Sequence, residues 1–254
     1  MPASLTVTDC GDGIRCLTLS NPARKNALDE VALEQLRAAL STAEPVRCWL
    51  VRGEGQGAFS AGYDLSALTQ VGEGRLPDDA LGDVFDLLQQ HPAPSVALVT
   101  GPAFGAGCEL ACACDFRVGD PKAVFCLPPA KIGVVYAARG IRRVAALTGL
   151  GRAKWMLLTG ARVEAEEARL FGLLDVLTPD AEGRALGVCR DLAQGAPLAI
   201  AGMKQTFSAL MRGGPTAQEA QALEQLRRAA FNSADAREGR EAFLARRPPK
   251  FSGR

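Results

Sequence analysis

The chain has 254 residues, with 29 Lys and Arg against 28 Asp and Glu, a single histidine and a net charge of +1. A balance that close provides no broad basic field for nucleic acid or an anionic membrane, and 48% hydrophobic with 22% charged residues is the make-up of a globular domain. No apolar run is long enough to cross a bilayer; the opening MPASLTVTDCGDG lacks a basic n-region and a long apolar stretch, so the expectation is a cytoplasmic protein without a signal peptide.

Residues Leu5 to Thr8 and Ile14 to Leu19 predict two strands joined by the hairpin loop Asp9-Cys10-Gly11-Asp12-Gly13. Asp29 suits an N-cap for a helix through Leu40, with Leu33, Leu36 and Leu40 on one face. Val46 to Arg52 predicts a third strand. The glycine-rich loop Gly53 to Gly57 follows, and Phe59-Ser60-Ala61-Gly62 brings the chain back toward the core, where small residues expose backbone N–H groups. Ser66 to Asp83 is polar and without clear period, which reads as a lid or an irregular surface segment. Val84 to Gln90 predicts a helical end packing Phe85, Leu87 and Leu88.

Pro94 to Asp115 is the stretch with the most chemical content. Ser95 to Val99 is a continuous apolar run that predicts a buried strand. Gly101-Pro102 breaks it, and Gly105-Ala106-Gly107 opens a short apolar helix over Cys108 to Cys114. A strand, a small-residue turn and a helix N-terminus leave backbone N–H groups free at one point, where the dipole favours negative charge. Glu109 is a lone carboxylate in that first turn; it suits catalysis or an ordinary dipole partner.

Beyond it, Phe116 to Val118, Ala123 to Phe125 and Val176 to Thr178 predict short strands, with Leu127-Pro128-Pro129 extended between them. Tyr136 leads into a helix with Arg142, Arg143 and Leu147. Further helices are expected over Ala153–Thr159, Ala165–Phe171, Ala181–Gln194, Pro197–Met211, Gln218–Phe231 and Ala234–Arg246. The apolar stripe Leu198, Leu210, Leu223, Leu226, Phe231 and Phe243 exceeds what a small appendage buries on itself, so this region is expected to pack on a neighbouring subunit.

The eight cysteines contain no CxxC pair, and His91 is the only histidine. That argues against a well-spaced zinc set and against a Ser-His or Cys-His nucleophile, and the cysteines read as small buried hydrophobes with no metal. No GxxxxGK[ST] and no GxGxxG after a strand points to nucleotide phosphates.

Several stretches together resemble the enoyl-CoA hydratase/isomerase, or crotonase, family. They are Asn21-Pro22 with Asn26-Ala27-Leu28, Ala58 to Leu65, Gly101 to Ala111 with Asp115, Phe125 to Gly133, Leu158-Thr159-Gly160, Ala165 to Leu173, and Ala196-Pro197 with Lys204, in family order over nearly the whole length. The resemblance implies an α/β fold, a ββα spiral core over 1–195, and a C-terminal helical region over 196–254 that assembles a homotrimer or a dimer of trimers. It implies an acyl-CoA substrate, so that coenzyme A enters as part of the substrate and no separate cofactor is expected. It places an oxyanion hole at the N–H groups of Tyr63 and Ala106; the second position is usually glycine. Coenzyme A contacts fall on Lys25, Asn26, Ala27, Ala61, Gly62, Asp64 and Leu65, with Gly105 and Pro129 as further substrate-binding positions. Lys250 reaches a coenzyme A phosphate of a neighbour or is a solvated tail charge. Two preorganised donors on a developing enolate oxygen are worth about 3–4 kcal/mol each.

The resemblance makes Glu109 the acid/base, but the second glutamate of family hydratases falls on Pro129, which carries no proton. Tyr136, in Gly133-Val134-Val135-Tyr136, resembles the methylmalonyl-CoA decarboxylase branch, where a tyrosine orients the substrate carboxylate. A phenol with an ordinary pKa near 10 is a neutral donor; it also suits a pocket wall. Arg139, Arg142 and Arg143 suit either an acidic substrate or a solvated helix face. The leading expectation is a hydratase/isomerase-type enzyme using Glu109. Decarboxylation with Tyr136, a non-catalytic acyl-CoA-binding paralogue and a nucleic-acid-binding relative are the alternatives.

Overall fold

A computed structural model describes residues 3–55, 57–64 and 76–254. The chain opens with the hairpin β1 (Ser4–Asp9) and β2 (Ile14–Ser20), then α1 (Glu30–Leu40), β3 (Cys48–Gly53) and α2 (Pro77–Gln90). The central part is β4 (Ser95–Val99), β5 (Pro102–Phe104), α3 (Ala106–Ala113), β6 (Phe116–Gly119), β7 (Val124–Cys126) and the single turn α4 (Pro129–Ile132). There follow α5 (Ala138–Thr159), β8 (Arg162–Glu164), α6 (Ala165–Phe171), β9 (Val176–Leu177), α7 (Ala181–Ala193), α8 (Pro197–Met211), α9 (Ala217–Asn232) and α10 (Ala234–Leu244). Among the described residues the strands form two sheets, ordered β1-β2-β3-β4-β6-β9 and β5-β7-β8. From β2 to β9 the larger sheet is parallel; β1 pairs antiparallel to β2.

The period-2 alternation of strands divides this sheet between two cores. Ile14, Cys16, Cys48, Leu50, Val96, Leu98 and Val118 face Ala181, Ala185, Cys189 and Ala193 of α7. Leu17, Leu19, Trp49, Val51, Ala97 and Val99 face the larger core with α1, α2 and α3. Both faces are thus covered, as parallel strands require. Small residues on α7 let it lie close to the sheet.

The elements expected from the apolar periodicity are present. Asp29 caps α1, its carboxylate accepting from the Ala32 N–H at 2.9 Å. The predicted helix after Tyr136 and that over Ala153–Thr159 are two parts of α5, broken at Gly149 (φ +76°). Seven cysteines are buried and none is disulfide-bonded, but Cys10, in the hairpin loop, is exposed.

One expectation is corrected. Of the irregular segment Ser66 to Asp83, residues 66–75 lie outside the described residues, but 77–83 begin a regular helix, α2. Its first turn is stabilised by Asp79, which accepts from the Leu76 N–H at 3.0 Å. The polar residues that hide the helical period in the sequence form a stripe toward α5: Arg139 bonds Asp83 at 2.7 Å and the Asp79 carbonyl at 2.7 Å.

The C-terminal helices are fastened to the first half of the chain through α8. Buried Lys204 donates to Asp115 at 2.7 Å and to the Ala93 carbonyl at 3.0 Å, while Asp115 also accepts from the Ser95 N–H and hydroxyl. On the outer faces Leu210, Phe231 and Phe243 remain exposed.

Candidate active site

The site is built where three backbone segments are strapped together. Ala61 N–H donates to the Lys25 carbonyl at 2.9 Å and Leu28 N–H to the Gly62 carbonyl at 2.7 Å. Asp64 N–H donates to the Leu28 carbonyl at 2.8 Å. Asn26, buried and in the left-handed region (φ +57°), ties the 54–58 loop by donating to the carbonyls of Glu54 and Ala58 at 3.0 and 2.9 Å. The same loop is held to β5 on its other side, with Phe59 N–H on the Pro102 carbonyl at 3.0 Å and Phe104 N–H on the Ser60 carbonyl at 2.9 Å.

This pairing decides which N–H groups are free. Because Leu28 bonds to residues 62 and 64, the intervening Tyr63 N–H points away from it, as alternation along a strand requires. Ala106 is the first residue of α3, where N–H groups have no partner within the helix. Neither N–H has a hydrogen-bond partner among the described residues. The two segments are in backbone contact: a Cβ on Gly62 would lie 2.7 Å from the Phe104 carbonyl oxygen and 3.3 Å from the Ala106 nitrogen. Gly107 permits the same closeness one residue on, since a Cβ there would meet the Ser60 carbonyl oxygen at 2.5 Å.

One turn further along α3 lies Glu109, only 6% exposed. Its carboxyl is hydrogen-bonded to Tyr136 and ion-paired with Arg143. Burial pushes its pKa up; the charge of Arg143, the hydrogen bonds from Tyr136 and Arg143, and the charge of Arg139 oppose that rise. Burial and the neighbouring Glu109 charge push the Tyr136 phenol well above its ordinary value, so it remains a neutral donor. Gly140 lets α5 approach: a Cβ there would come 2.6 Å from the Tyr136 ring and 2.9 Å from the Glu109 carboxyl. Pro129 is buried at the start of α4, and no acidic side chain occupies that turn.

Lys25, Asn26, Ala27, Ala61, Gly62, Tyr63, Asp64, Gly105, Ala106, Glu109 and Tyr136 therefore belong to connected segments. Leu65 lies outside the described residues. Asp64 is ion-paired with Arg24. Lys250 sits in the tail beside α10, its N–H donating to Glu238 at 2.7 Å. No group of three or more His, Cys, Asp or Glu suited to a metal is found among the described residues.

The sequence reading of the arginines is corrected for Arg143. Its side chain is 2% exposed, neither solvated nor open to an acidic substrate. It joins Glu109 to Asp86, and its Nε donates to Gln89 at 3.2 Å. No local motif marks this pairing, because Glu109 and Arg143 are 34 residues apart. The available signal was the match between Asp79, Asp83 and Asp86 on one helix and Arg139 and Arg143 on another.

The sequence model of a family described as enoyl-CoA hydratase/isomerase matches residues 9–254. The chain belongs to the enoyl-CoA hydratase/isomerase family. It is 34% identical over 246 residues to the probable enoyl-CoA hydratase echA6 of Mycobacterium bovis, covering 95% of this chain and 97% of that protein. It is 31% identical to the methylmalonyl-CoA decarboxylase of Escherichia coli K12, covering 90% of each. The crystal structure of an enoyl-CoA hydratase from Bacillus anthracis superposes with a TM-score of 0.89 at 27% identity, over 99% of this chain and 100% of that one. The fold is that of the crotonases, and the family fixes the substrate class as acyl-CoA.

Proposed function

We propose that this crotonase-family member catalyses proton transfer beside an acyl-CoA carbonyl, with Glu109 as its acid/base carboxyl group. The observation that carries the reading is one buried carboxyl in the first turn of α3, three residues after the free Ala106 N–H, with proline at the second glutamate position. The thioester oxygen accepts from the N–H groups of Tyr63 and Ala106. Glu109 takes a proton from carbon; the C–H electron pair moves into the enolate, and its charge collects on the thioester oxygen. The same carboxyl then returns the proton, either to the original carbon or to one two bonds along the chain, which shifts a double bond. Two fixed donors stabilise the intermediate without reorganisation, and a carboxyl raised by burial is better matched to taking and returning a proton near neutrality. Coenzyme A lies along Lys25 to Ala27 and Ala61 to Asp64. Efficient hydration by two glutamates is not part of this reading.

A second reading, decarboxylation of a malonyl-type thioester, is favoured by Tyr136 beside the acyl site and by the decarboxylase among the relatives. Mass spectrometry separates them. Wild type and Glu109→Gln are incubated in D₂O with butyryl-CoA, a 3-enoyl-CoA, crotonyl-CoA and methylmalonyl-CoA. Deuterium gain or a double-bond shift that is lost in Glu109→Gln is the expected result. Unchanged exchange in that variant refutes the role of Glu109, and carbon dioxide loss from methylmalonyl-CoA with no exchange establishes the second reading.

A further inference from the structure

The ion pair on Glu109 has a consequence for how the site works. A buried carboxyl that is to act as a base must be held ionised and must keep one oxygen turned to the substrate. Among the described residues Arg143 is the guanidinium in contact with it, bonding Oε1. Arg143 is itself fully buried, and each of its nitrogens is engaged: Nε on Gln89, one terminal nitrogen on Glu109, the other on Asp86 and on the Gly82 carbonyl at 3.3 Å. Three of these four partners come from α2, so α2 fixes the guanidinium and the guanidinium fixes Glu109. A fork held at all three nitrogens has little freedom to rotate, which is what a rigidly placed base requires.

We infer that Arg143 is a positioning residue for the acyl-CoA reaction, holding Glu109 by Oε1 so that the other oxygen is left for the substrate, and that Asp86 competes with Glu109 for the same guanidinium and so sets how strongly it is held. The inference deepens the proton-transfer reading and rests on it for the role of Glu109, though the contacts themselves do not.

The charges facing this pair come from three elements. Tyr136, at the start of the α5 segment, and Arg139 on α5 face Glu109; Cys108 and Cys112 lie on its own helix. Asp86 faces Arg143 from α2, and Asp79 and Asp83 face Arg139 beside it. Asp86 carries a negative charge that opposes ionisation of Glu109 and draws the guanidinium the other way. Arg143 carries the positive charge that favours ionisation. The two substitutions must therefore move Glu109 in opposite directions.

The test reads the Glu109 carboxyl directly, without substrate, by infrared difference spectroscopy of its titration, using Glu109→Gln as the blank. In Arg143→Gln the midpoint rises by about one pH unit or more, and in Asp86→Asn it falls. The pH profile of deuterium exchange into butyryl-CoA follows: its acid limb moves up in Arg143→Gln with kcat down about 100-fold and KM within about threefold, and Arg143→Lys restores part of both. A midpoint unmoved in both Arg143→Gln and Asp86→Asn overturns the inference and leaves Arg143 as a packing residue. If Arg143→Gln fails to fold, Asp86→Asn, at a half-exposed position, decides alone: no downward shift overturns it. If wild type shows no exchange at all, the proton-transfer reading fails while the infrared midpoints still decide whether Arg143 holds Glu109.

Discussion

Gly107→Ala is the substitution that tests whether the approach of α3 to the Ser60 loop matters for chemistry rather than for stability. The new Cβ would lie 2.5 Å from the Ser60 carbonyl oxygen and 2.7 Å from the Ser60 Cβ. Ordinary contact begins near 3.4 Å, so the two segments must separate by about 0.9 Å. The Ser60 side cannot yield freely, because its carbonyl accepts from Phe104 N–H and its own N–H donates to Pro102. Alanine in a helix gains about 0.5–1 kcal/mol over glycine, and overpacking costs about 1–3 kcal/mol. The net change in stability is thus a loss of about 0–2.5 kcal/mol. The same shift moves the Ala106 N–H relative to Tyr63, and loss of one such donor costs about 3 kcal/mol in the transition state, or about 100-fold in kcat. Urea unfolding and deuterium exchange into butyryl-CoA are measured together, with Gly187→Ala on α7, where a Cβ meets only the end of Arg184 at 4.0 Å, as the control. A Gly107→Ala enzyme with unchanged kcat and KM refutes the argument that these two N–H groups act as a pair.

Three further outcomes are expected. Tyr136→Phe removes a hydrogen bond to the ionised Glu109 carboxyl, so the acid limb of the exchange profile moves to higher pH and the rate at pH 6 falls about tenfold; an unshifted limb contradicts it. Lys204→Met leaves Asp115 without its buried cation, although Ser95 still bonds it, and chemical denaturation should report a loss of about 2–3 kcal/mol; a loss below about 0.5 kcal/mol excludes that pair as the fastening of α8. Burial lowers the pKa of His91 from its ordinary 6.5, so the native state holds the neutral ring and the unfolded chain binds the proton first. Stability contributed by this group is present above about pH 6.5 and is lost as the pH falls below it. Urea midpoints between pH 7.5 and 5.5 should show a decline that His91→Asn reduces, and equal declines in both proteins would contradict it.

The fold was legible because its elements carry strong local signals. The buried strand at Ser95 to Val99 and the capped helix after Asp29 are each written in adjacent residues. The backbone part of the site was legible for the same reason: Gly62, Gly105 and Gly107 mark the places where two segments touch. Side-chain partners were not legible. Glu109 was recognisable, yet its ion pair with Arg143 depends on α3, α5 and α2 meeting, and no spacing within any one of them encodes it. The first half of α2 was misread because its inward face is ionic, and the apolar period used to find helices does not register aspartates facing arginines.

The acidic stripe of α2 also bears on how the chain acquires its order. Asp79 and Asp83 are four residues apart and Asp83 and Asp86 three, so on an isolated helix these like charges repel at every turn. Among the described residues Arg139 and Arg143 relieve that repulsion, and both arrive with α5, more than fifty residues later. α2 is therefore a helix whose persistence is conditional on a distant segment. The two should form one cooperative unit, opening and closing together, with amide protection on Val84 to Leu88 rising and falling with that of the first half of α5.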